Sequence, residues 1–268
     1  MALDLNLGQS NSASNVANTG NFQQVNQGAI NVVVNTEKEG FAHSFQPSLV
    51  EERNKYVWYG TPRLFHGLTL TFRENQDGLF IGHSYKFSAD RSTFIVECDP
   101  ESWEHAGLSE KDEEESRRYL ETLFAPDLAG EPLLSNNSRW LNFVTVRNRR
   151  WHHGNVVLLG DALHTAHFSI GSGTKLALEA SMALAAAFAA HREVAPALAA
   201  FEAARRPAVE RYQAVAERSR TWFETAAADL HLDPVAFAYK AMTRSDKVDL
   251  DNLRKRDPEF AAAWERIR

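Results

Sequence analysis

Alternating apolar and polar positions dominate the chain between residues 55 and 98. Residues 68–73 and 93–98 show the pattern most clearly and are rich in aromatic and β-branched side chains. Because successive side chains of a strand point to opposite faces, this pattern predicts antiparallel strands. Gly78 and residues 88–90 fall between the segments, where hairpin turns are needed.

Helical periodicity marks several later parts of the chain. Residues 109–124 carry an apolar stripe opposite charged positions, which predicts an amphipathic surface helix. Two longer helical stretches follow at residues 174–191 and 195–228. Pro207 falls inside the second stretch, and since proline lacks an amide hydrogen we expect it to kink or divide that helix. Two last short helices are expected to begin at Asp233-Pro234 and Asp257-Pro258.

A continuous apolar run at residues 154–160 predicts a strand that is buried on both faces. It ends at Gly160-Asp161 and is followed by a glycine-containing loop and the first long helix. Another strand is expected at residues 140–146. This order of elements predicts an α+β or α/β fold that combines an antiparallel sheet with long carboxyl-terminal helices.

The first forty residues differ in kind from the rest of the chain. They are rich in Asn, Gln, Ser and Gly, with one short apolar patch at residues 30–34. Such a composition buries too little apolar surface to offset the entropy lost on ordering. We therefore expect residues 1–44 to form a disordered tail. The alternative is a single strand at residues 31–35, added to the main sheet.

Charge and composition exclude several classes of partner. The 268 residues carry a net charge of −6 and their basic residues are scattered, so no cationic face for nucleic acid is expected. Cys98 is the single cysteine, which excludes an intrachain disulfide and suits a reducing compartment. No apolar run approaches the roughly 20 residues of a membrane span, and no secretory signal is recognisable. We expect a cytoplasmic protein with a small-molecule partner.

The most informative stretch joins the apolar run to the first long helix. Gly160 lacks a side chain and permits close approach of a ligand to the backbone. Asp161 presents a carboxylate at the strand's carboxyl end, where it can accept hydrogen bonds from hydroxyl groups. The free amide hydrogens of Gly173, Thr174 and Lys175 begin the helix and form a partly positive site. A ligand with a polyol chain and an electron-rich acceptor suits this arrangement.

Two other interpretations of this stretch are less satisfactory. Gly171 and Gly173 imitate a dinucleotide-binding fingerprint, but its third glycine is missing and the motif lies a full loop beyond its strand. His164 and His167 resemble a pair of metal ligands, yet no second cluster has the spacing to complete such a site. We expect these histidines to pack within the loop, and no metal is predicted.

The same stretch carries a family resemblance. Val156-Val-Leu-Leu-Gly-Asp-Ala-Leu-His164, with the glycine loop and alanine-rich helix that follow, resembles the second FAD motif of the flavoprotein aromatic hydroxylases, the family of para-hydroxybenzoate hydroxylase. Residues 164–177 are similar to the branch acting on aromatic coenzyme A thioesters, represented by salicylyl-CoA 5-hydroxylase and anthraniloyl-CoA monooxygenase. The resemblance extends from about residue 46 to the carboxyl terminus. Further similar segments are residues 54–61, 92–98, 150–154 and 251–260.

The resemblance implies a cofactor and a reaction. Asp161 would hold the ribityl chain of FAD, close to Gly160 and the loop at Gly171. The backbone of residues 173–175 would face the pyrimidine edge of the flavin. The antiparallel sheet would cover an aromatic substrate or its acyl-CoA thioester, with NADH or NADPH as electron donor and dioxygen as the second substrate.

Candidate substrate contacts follow from the same resemblance. His83 and Tyr85 alternate on one face of a predicted strand and are candidates for orienting a ring substituent; ordinary packing or exposure is the alternative. Arg147, Arg149 and Arg150 are candidates for the phosphates of coenzyme A, because guanidinium groups fork onto phosphate oxygens. A solvated strand end is the alternative for the three arginines.

On this interpretation the chain has four parts: the tail (1–44), a substrate-binding antiparallel sheet with a helix (45–150), the second part of an FAD-binding domain (151–230) and carboxyl-terminal helices (231–268). The Gly-x-Gly-x-x-Gly unit that opens the family's fold is not found before the resemblance starts. We therefore expect the isolated chain to bind FAD weakly or not at all. Two hypotheses stay open beside catalysis by this chain: a non-catalytic remnant or interaction module, and a site completed by a separate chain or a homodimer.

Overall fold

The computed structural model describes residues 31–33 and 44–268, so most of the expected tail lies outside the described residues. The strands are β1 (Asn31–Val33), β2 (Pro47–Thr61), β3 (Thr69–Asn75), β4 (Gly78–Lys86), β5 (Ser92–Cys98), β6 (Leu141–Asn148), β7 (His152–His153) and β8 (Val156–Leu158). The helices are α1 (Pro100–His105), α2 (Glu113–Leu123), α3 (Ala125–Leu128), α4 (Gly173–Ala190), α5 (Val194–Thr225), α6 (Pro234–Thr243), α7 (Leu250–Arg256) and α8 (Pro258–Ile267).

The larger sheet consists of five antiparallel strands in the order β3-β4-β5-β2-β6. A tight turn joins β3 to β4, and Gly78 adopts there a φ of +134°, which favours glycine. The predicted antiparallel strands are therefore confirmed. β2 begins at Pro47, earlier than the alternating pattern predicted. Its first residues are mostly exposed and carry no apolar alternation, so the pattern could not reveal them.

Alternate side chains of this sheet enter two different cores. One face packs against α2 and α3. Its side chains Tyr59, Phe80 and Phe94 share a buried cluster with Phe124 and Leu128 of the helical segment. The opposite face, called here the inner face, carries Tyr56, Ile95 and Phe143 in one cluster and Leu79 and Ile81 with Phe223 of α5 in another. The amphipathic helix is present as α2, which begins at Glu113 because Asp112 forms a capping box with Glu115.

The smaller sheet has the order β1-β8-β7. Asn31–Val33 pairs in parallel with Val156–Leu158, so a strand is present at these three residues, but it belongs to the smaller sheet and not to the larger one. β8 is buried at every position, as the apolar run predicted, but it is shorter than that run. Its core is shared with α4 and α5 and includes Val157, Leu158, Leu176, Ala180, Leu198 and Phe201.

α5 continues as one helix through Pro207, so the predicted division of this helix is wrong. Proline removes one backbone hydrogen bond from the helical ladder. Phe201 on one side of Pro207 and Val209 on the other are buried in the same core. Tertiary packing therefore holds the two halves in a single helix despite the missing bond.

Two of the carboxyl-terminal helices, α6 and α8, begin where the Asp-Pro pairs predicted, whereas α7 between them was not predicted. Asp233 and Asp257 cap α6 and α8 by accepting hydrogen bonds from backbone amides of their first turns. The rings of Tyr239 and Trp264 stack at 4.2 Å with an interplanar angle of 9°, which joins α6 to α8. Within the described part of the chain, no helix is both long and apolar enough to cross a membrane. The α+β fold class expected from the sequence is confirmed.

Candidate functional site

The backbone turns sharply at the carboxyl end of β8 and exposes Asp161. Gly160 has a φ of +60°, and its carbonyl accepts hydrogen bonds from the amides of Leu163 (3.0 Å) and His164 (3.1 Å). These bonds fix a short 3-10 turn, Gly160–Ala162. The Asp161 carboxylate has no hydrogen-bond or ion-pair partner among the described residues. Desolvation by the surrounding protein nevertheless raises its pKa above the ordinary value.

The amino terminus of α4 has free amide groups. Ser172 stands at the cap position, but its hydroxyl donates to the carbonyl of Ile170 at 3.1 Å and does not cap the helix. The first backbone bond of the helix runs from the amide of Leu176 to the carbonyl of Ser172, at 3.0 Å. The amides of residues 173–175 therefore lack an acceptor within the described chain. A Cβ added at Gly173 would meet nothing within 4 Å, so this end of the helix is open.

The turn that carries Asp161 and the helix α4 pack against each other. The Lys175 ammonium pairs with Glu179 at 2.8 Å and donates to the Tyr212 hydroxyl at 3.0 Å. Its side chain is thereby engaged with α4 and α5, while its backbone amide has no acceptor within the described chain. The two packed elements therefore offer a carboxylate acceptor and free backbone donors.

A cavity of about 150 Å³ lies beside this region, between β6, the loop after β8 and α5. It is lined by Arg147, Asn148, His164, Arg206 and Gln213 among others. Pockets that enclose a cofactor usually measure about 300–1,000 Å³. This cavity is therefore too small for a dinucleotide, and a cofactor would have to lie against the exposed turn and helix end.

His164 and His167 make the packing contacts expected of loop residues. The His164 ring lies 6.0 Å from the ring of Trp151, and its Nε2 atom is buried without a partner. His167 Nδ1 is held by the hydroxyl and the amide of Ser169, at 2.9 and 3.3 Å. Burial lowers the pKa of each histidine to about 4, so both are neutral at physiological pH. The described residues contain no group of three or more side chains able to hold a metal ion.

The two candidates on β4 have different surroundings. His83 is buried on the inner face of the sheet, whereas Tyr85 is about one-third exposed at its rim. His83 Nε2 lies 3.0 Å from the carboxylate of Glu97 on β5, and Glu97 also accepts a hydrogen bond of 2.8 Å from the Asn54 side chain. Neither Glu97 nor Asn54 was predicted as a site residue from the sequence. A charged residue inside the otherwise apolar strand at residues 93–98 was the feature that could have indicated Glu97.

Phe168 connects the glycine loop to the inner face of the sheet. Its ring centroid lies 4.9 Å from that of Tyr56, 5.6 Å from His83 and 6.1 Å from Phe143. The loop that precedes α4 is therefore in direct contact with the strands expected to cover a substrate. This contact brings the Asp161 region and the His83 region into one continuous structure.

The three candidate arginines at the end of β6 are all exposed. Arg147 forms an ion pair with Glu217 of α5 at 3.1 Å. The guanidinium groups of Arg149 and Arg150 have no partner within the described residues. The structure thus leaves two of the three free for an anionic group.

Comparison with known proteins places this geometry in a family. The FAD binding domain family matches residues 66–216, more than half of the chain. Salicyloyl-CoA 5-hydroxylase of a Streptomyces species is 44% identical over 216 residues, which cover 76% of this chain and 42% of the relative. Protodeoxyviolaceinate monooxygenase of Chromobacterium violaceum is 41% identical over 205 residues, covering 76% of this chain and 55% of the relative. The chain therefore spans about half the length of these two relatives.

The fold agrees with the family match. The crystal structure of PqsL, described as a probable FAD-dependent monooxygenase from Pseudomonas aeruginosa, superposes with a TM-score of 0.51 at 23% sequence identity. The superposition covers 66% of this chain and 50% of that structure. At this identity the similarity shows the fold alone. The segment that matches the family model is more than half of the chain and contains both the Asp161 turn and the open start of α4. The chain therefore belongs to the FAD binding domain family.

Proposed function

We propose that this chain is the flavin- and substrate-facing part of an FAD-dependent aromatic monooxygenase. Such an enzyme uses NADH or NADPH and dioxygen to hydroxylate an aromatic ring. The family membership and the names of the two relatives support this activity for the whole protein. We expect the protein to act in the cytoplasm.

The observation that carries the proposal is the unpaired Asp161 carboxylate on a turn that packs against α4, a helix whose amino terminus is uncapped. A carboxylate accepts hydrogen bonds from hydroxyl groups such as those of the ribityl chain of FAD. The amides of residues 173–175 suit the electron-rich edge of a flavin ring, helped by the positive end of the helix dipole. Gly173 leaves the start of the helix open, so these residues fit FAD. When bound there, FAD would supply electron transfer and the activation of dioxygen.

The inner face of the sheet would hold the aromatic substrate. An apolar wall is formed there by Phe168 with Tyr56 and Phe143, whose ring centroids lie 4.9 and 6.1 Å from that of Phe168. Such a wall excludes water from the reacting ring and supports ring stacking. His83 contacts Phe168 of this wall, and Tyr85 lies two residues further along the same face of β4, which supports both as candidates for orienting a ring substituent.

We infer that the substrate is an aromatic acyl-CoA thioester. The name of one relative specifies salicyloyl-CoA, whereas the name of the other does not specify a thioester. Arg149 and Arg150 offer unpaired guanidinium groups for the coenzyme A phosphates. Arg147 would have to exchange its ion pair with Glu217 to take part.

The pyrophosphate of FAD needs a further binding unit of the type that presents a glycine-rich turn and a helix amino terminus. We propose that the described residues contribute the ribityl and ring contacts and that a unit of this type, outside residues 44–268, contributes the pyrophosphate contacts.

Replacement of Asp161 tests this function. The full chain is titrated with FAD, with and without the nucleotide-binding half of a relative, while flavin fluorescence is recorded. Asp161→Asn removes a charge-assisted hydrogen bond to the ribityl chain, which should cost about 1.5–3 kcal/mol, or roughly ten- to more than a hundredfold in affinity. Glu193→Gln is the matched control, because Glu193 is exposed before α5 and its side chain forms no cap.

Equal dissociation constants for the wild type and Asp161→Asn would show that Asp161 does not hold the cofactor. A wild-type chain that takes up no FAD even when supplied with the nucleotide-binding half would support the alternative of a non-catalytic interaction module.

A further inference from the structure

Two buried side chains beside Phe168 carry polar atoms on the inner face of the sheet. Tyr56 on β2 and His167 in the loop before α4 are each 4% exposed. Their ring centroids lie 4.9 and 4.2 Å from that of Phe168. Phe143 of β6 joins the group, with its ring centroid 4.9 Å from that of His167. These four rings form one aromatic cluster that contains a hydroxyl and an imidazole.

The loop itself determines which nitrogen of His167 carries hydrogen. The backbone amide of Ser169 donates to His167 Nδ1 at 3.3 Å, and only a ring nitrogen without hydrogen can accept this bond. Burial lowers the pKa of His167 to about 4, so the ring is neutral at physiological pH and has a single N–H group. That hydrogen is therefore on Nε2, which makes Nε2 a hydrogen-bond donor.

The Tyr56 hydroxyl is a second neutral donor in the cluster. Desolvation raises the pKa of Tyr56 to about 12, so the hydroxyl keeps its hydrogen at neutral pH. Neither this hydroxyl nor His167 Nε2 has a hydrogen-bond partner within the described chain. Neither atom is sealed from solvent, unlike the unpaired hydroxyl of Tyr59 on the face that packs against α2. Buried polar groups are normally hydrogen-bonded, so two free donors in one cluster indicate a site for an acceptor.

The charges around the cluster favour a neutral acceptor over an anionic one. Glu97, His83 and Arg220 are the titratable groups that act electrostatically on His167. The pKa of Glu97 is held below its ordinary value, so this neighbour is negative at neutral pH. Arg220 of α5 is already paired with two carboxylates. A carboxylate ligand would meet the charge of Glu97, and its burial is costly without an ion-pair partner. A carbonyl oxygen accepts hydrogen bonds without that cost.

We propose that Tyr56 and His167 bind the acyl carbonyl oxygen of an aromatic thioester and select it over the free carboxylate. The carbonyl oxygen accepts from the Tyr56 hydroxyl and from His167 Nε2, while the aromatic ring of the ligand packs against Phe168 and Phe143. Because the acyl group is attached directly to the ring, this contact also fixes the rotation of the ring within the site. No proton is transferred. This inference rests on the proposed function for its class of substrate.

The carbonyl stretching frequency of a bound thioester tests this site without FAD. The full chain is saturated with the benzoyl thioester of N-acetylcysteamine, isotope-labelled at the acyl carbon, and difference infrared spectra are recorded. Hydrogen bonds weaken the carbonyl double bond, so the bound probe should absorb at a lower frequency in the wild type than in either donor variant. Tyr56→Phe removes the hydroxyl, and His167→Asn removes the Nε2 donor but keeps an acceptor for the Ser169 amide. Each change should weaken binding about two- to tenfold.

Benzamide and benzoate test the selectivity, since they have the same size but differ in charge. Benzamide should bind the wild-type chain more tightly than benzoate.

Tyr59→Phe is the matched control, because it removes a buried tyrosine hydroxyl from the same strand but from the opposite face, and should leave the frequency unchanged. A purely structural role would let the variants change stability but not the frequency of the bound carbonyl. If one variant does not fold, the other and the benzamide comparison still decide the matter. Equal frequencies in the wild type and the donor variants overturn the inference, as does a wild-type chain that prefers benzoate or does not bind the thioester. Failure of FAD binding with a lowered carbonyl frequency would instead count against the proposed function alone.

Discussion

At Asp161 and at Glu97 the same chemical group meets opposite surroundings. Asp161 is exposed and has no partner in the described chain, and desolvation raises its pKa. Glu97 is fully buried, and its bonds to His83 and Asn54 outweigh the effect of burial on its pKa. Asp161 therefore has its acceptor capacity available for a ligand, whereas Glu97 is engaged with other side chains inside the sheet.

His164 gives the protein a pH-dependent stability. Burial lowers its pKa to about 4 in the folded chain, against 6.5 for an ordinary histidine. As the pH falls below about 6.5, the unfolded chain binds this proton while the folded chain does not, so stability decreases until about pH 4. In urea unfolding, the wild type should lose roughly 1–3 kcal/mol more than His164→Gln between neutral pH and pH 4.5. His167 is present in both proteins, so its contribution cancels.

His191→Gln serves as the control for this comparison, since His191 is exposed and its replacement should leave the pH profile parallel to that of the wild type. Parallel profiles for the wild type and His164→Gln would show that His164 is solvated well enough to titrate in the folded chain.

Among the elements, α5 has the widest role. It spans Val194–Thr225, shares a core with β8 and α4, and contributes Phe223 to the inner face of the antiparallel sheet. Its Gln213 side chain donates to the carbonyls of Val146 and Thr165, which ties the end of β6 to the loop after β8. A helix that continues through Pro207 makes these contacts possible together.

Pro207→Ala tests whether the core or the local backbone decides the shape of α5. Alanine restores an amide donor for the helical ladder and has a higher helix propensity. The added freedom of the unfolded chain offsets part of this gain. We expect a net stabilisation of about 1–2 kcal/mol in chemical denaturation. A loss of stability would instead mean that the core needs a bend that proline supplies.

For the whole molecule, local sequence patterns predicted the helices and strands, but they predicted the contacts between those elements less well. Alternation, capping residues and Asp-Pro pairs indicated most strands and helices, because these features act within a few residues. Pro207 was misleading because packing on both sides outweighs one lost hydrogen bond. The pairing of His83 with Glu97 depends on the register between β4 and β5, which sets Ile81 opposite Glu97 and His83 opposite Ile95. No local pattern encodes that register, nor the reach of Phe168 onto the sheet.

The site likewise combines local and long-range features. Gly160, Asp161 and the start of α4 lie in one continuous motif and were selected from it. Their link to the antiparallel sheet runs through Phe168, and Arg244 holds the loop that carries it by donating to the carbonyl of Ser169 at 3.1 Å. The proposed function requires both parts, because a flavin must lie within reach of the ring it oxidises.

Amide chemical shifts test the central claim most directly. Isotope-labelled full chain is titrated with riboflavin, which contains the ring and ribityl chain but no phosphate, so that the contacts assigned to this chain are probed alone. We expect the largest shift changes at Asp161 and at the amides of Gly173, Thr174 and Lys175, and their loss in Asp161→Asn. No change at these amides, or the largest changes at residues distant from the Gly160–Ala162 turn and the start of α4, would contradict the account.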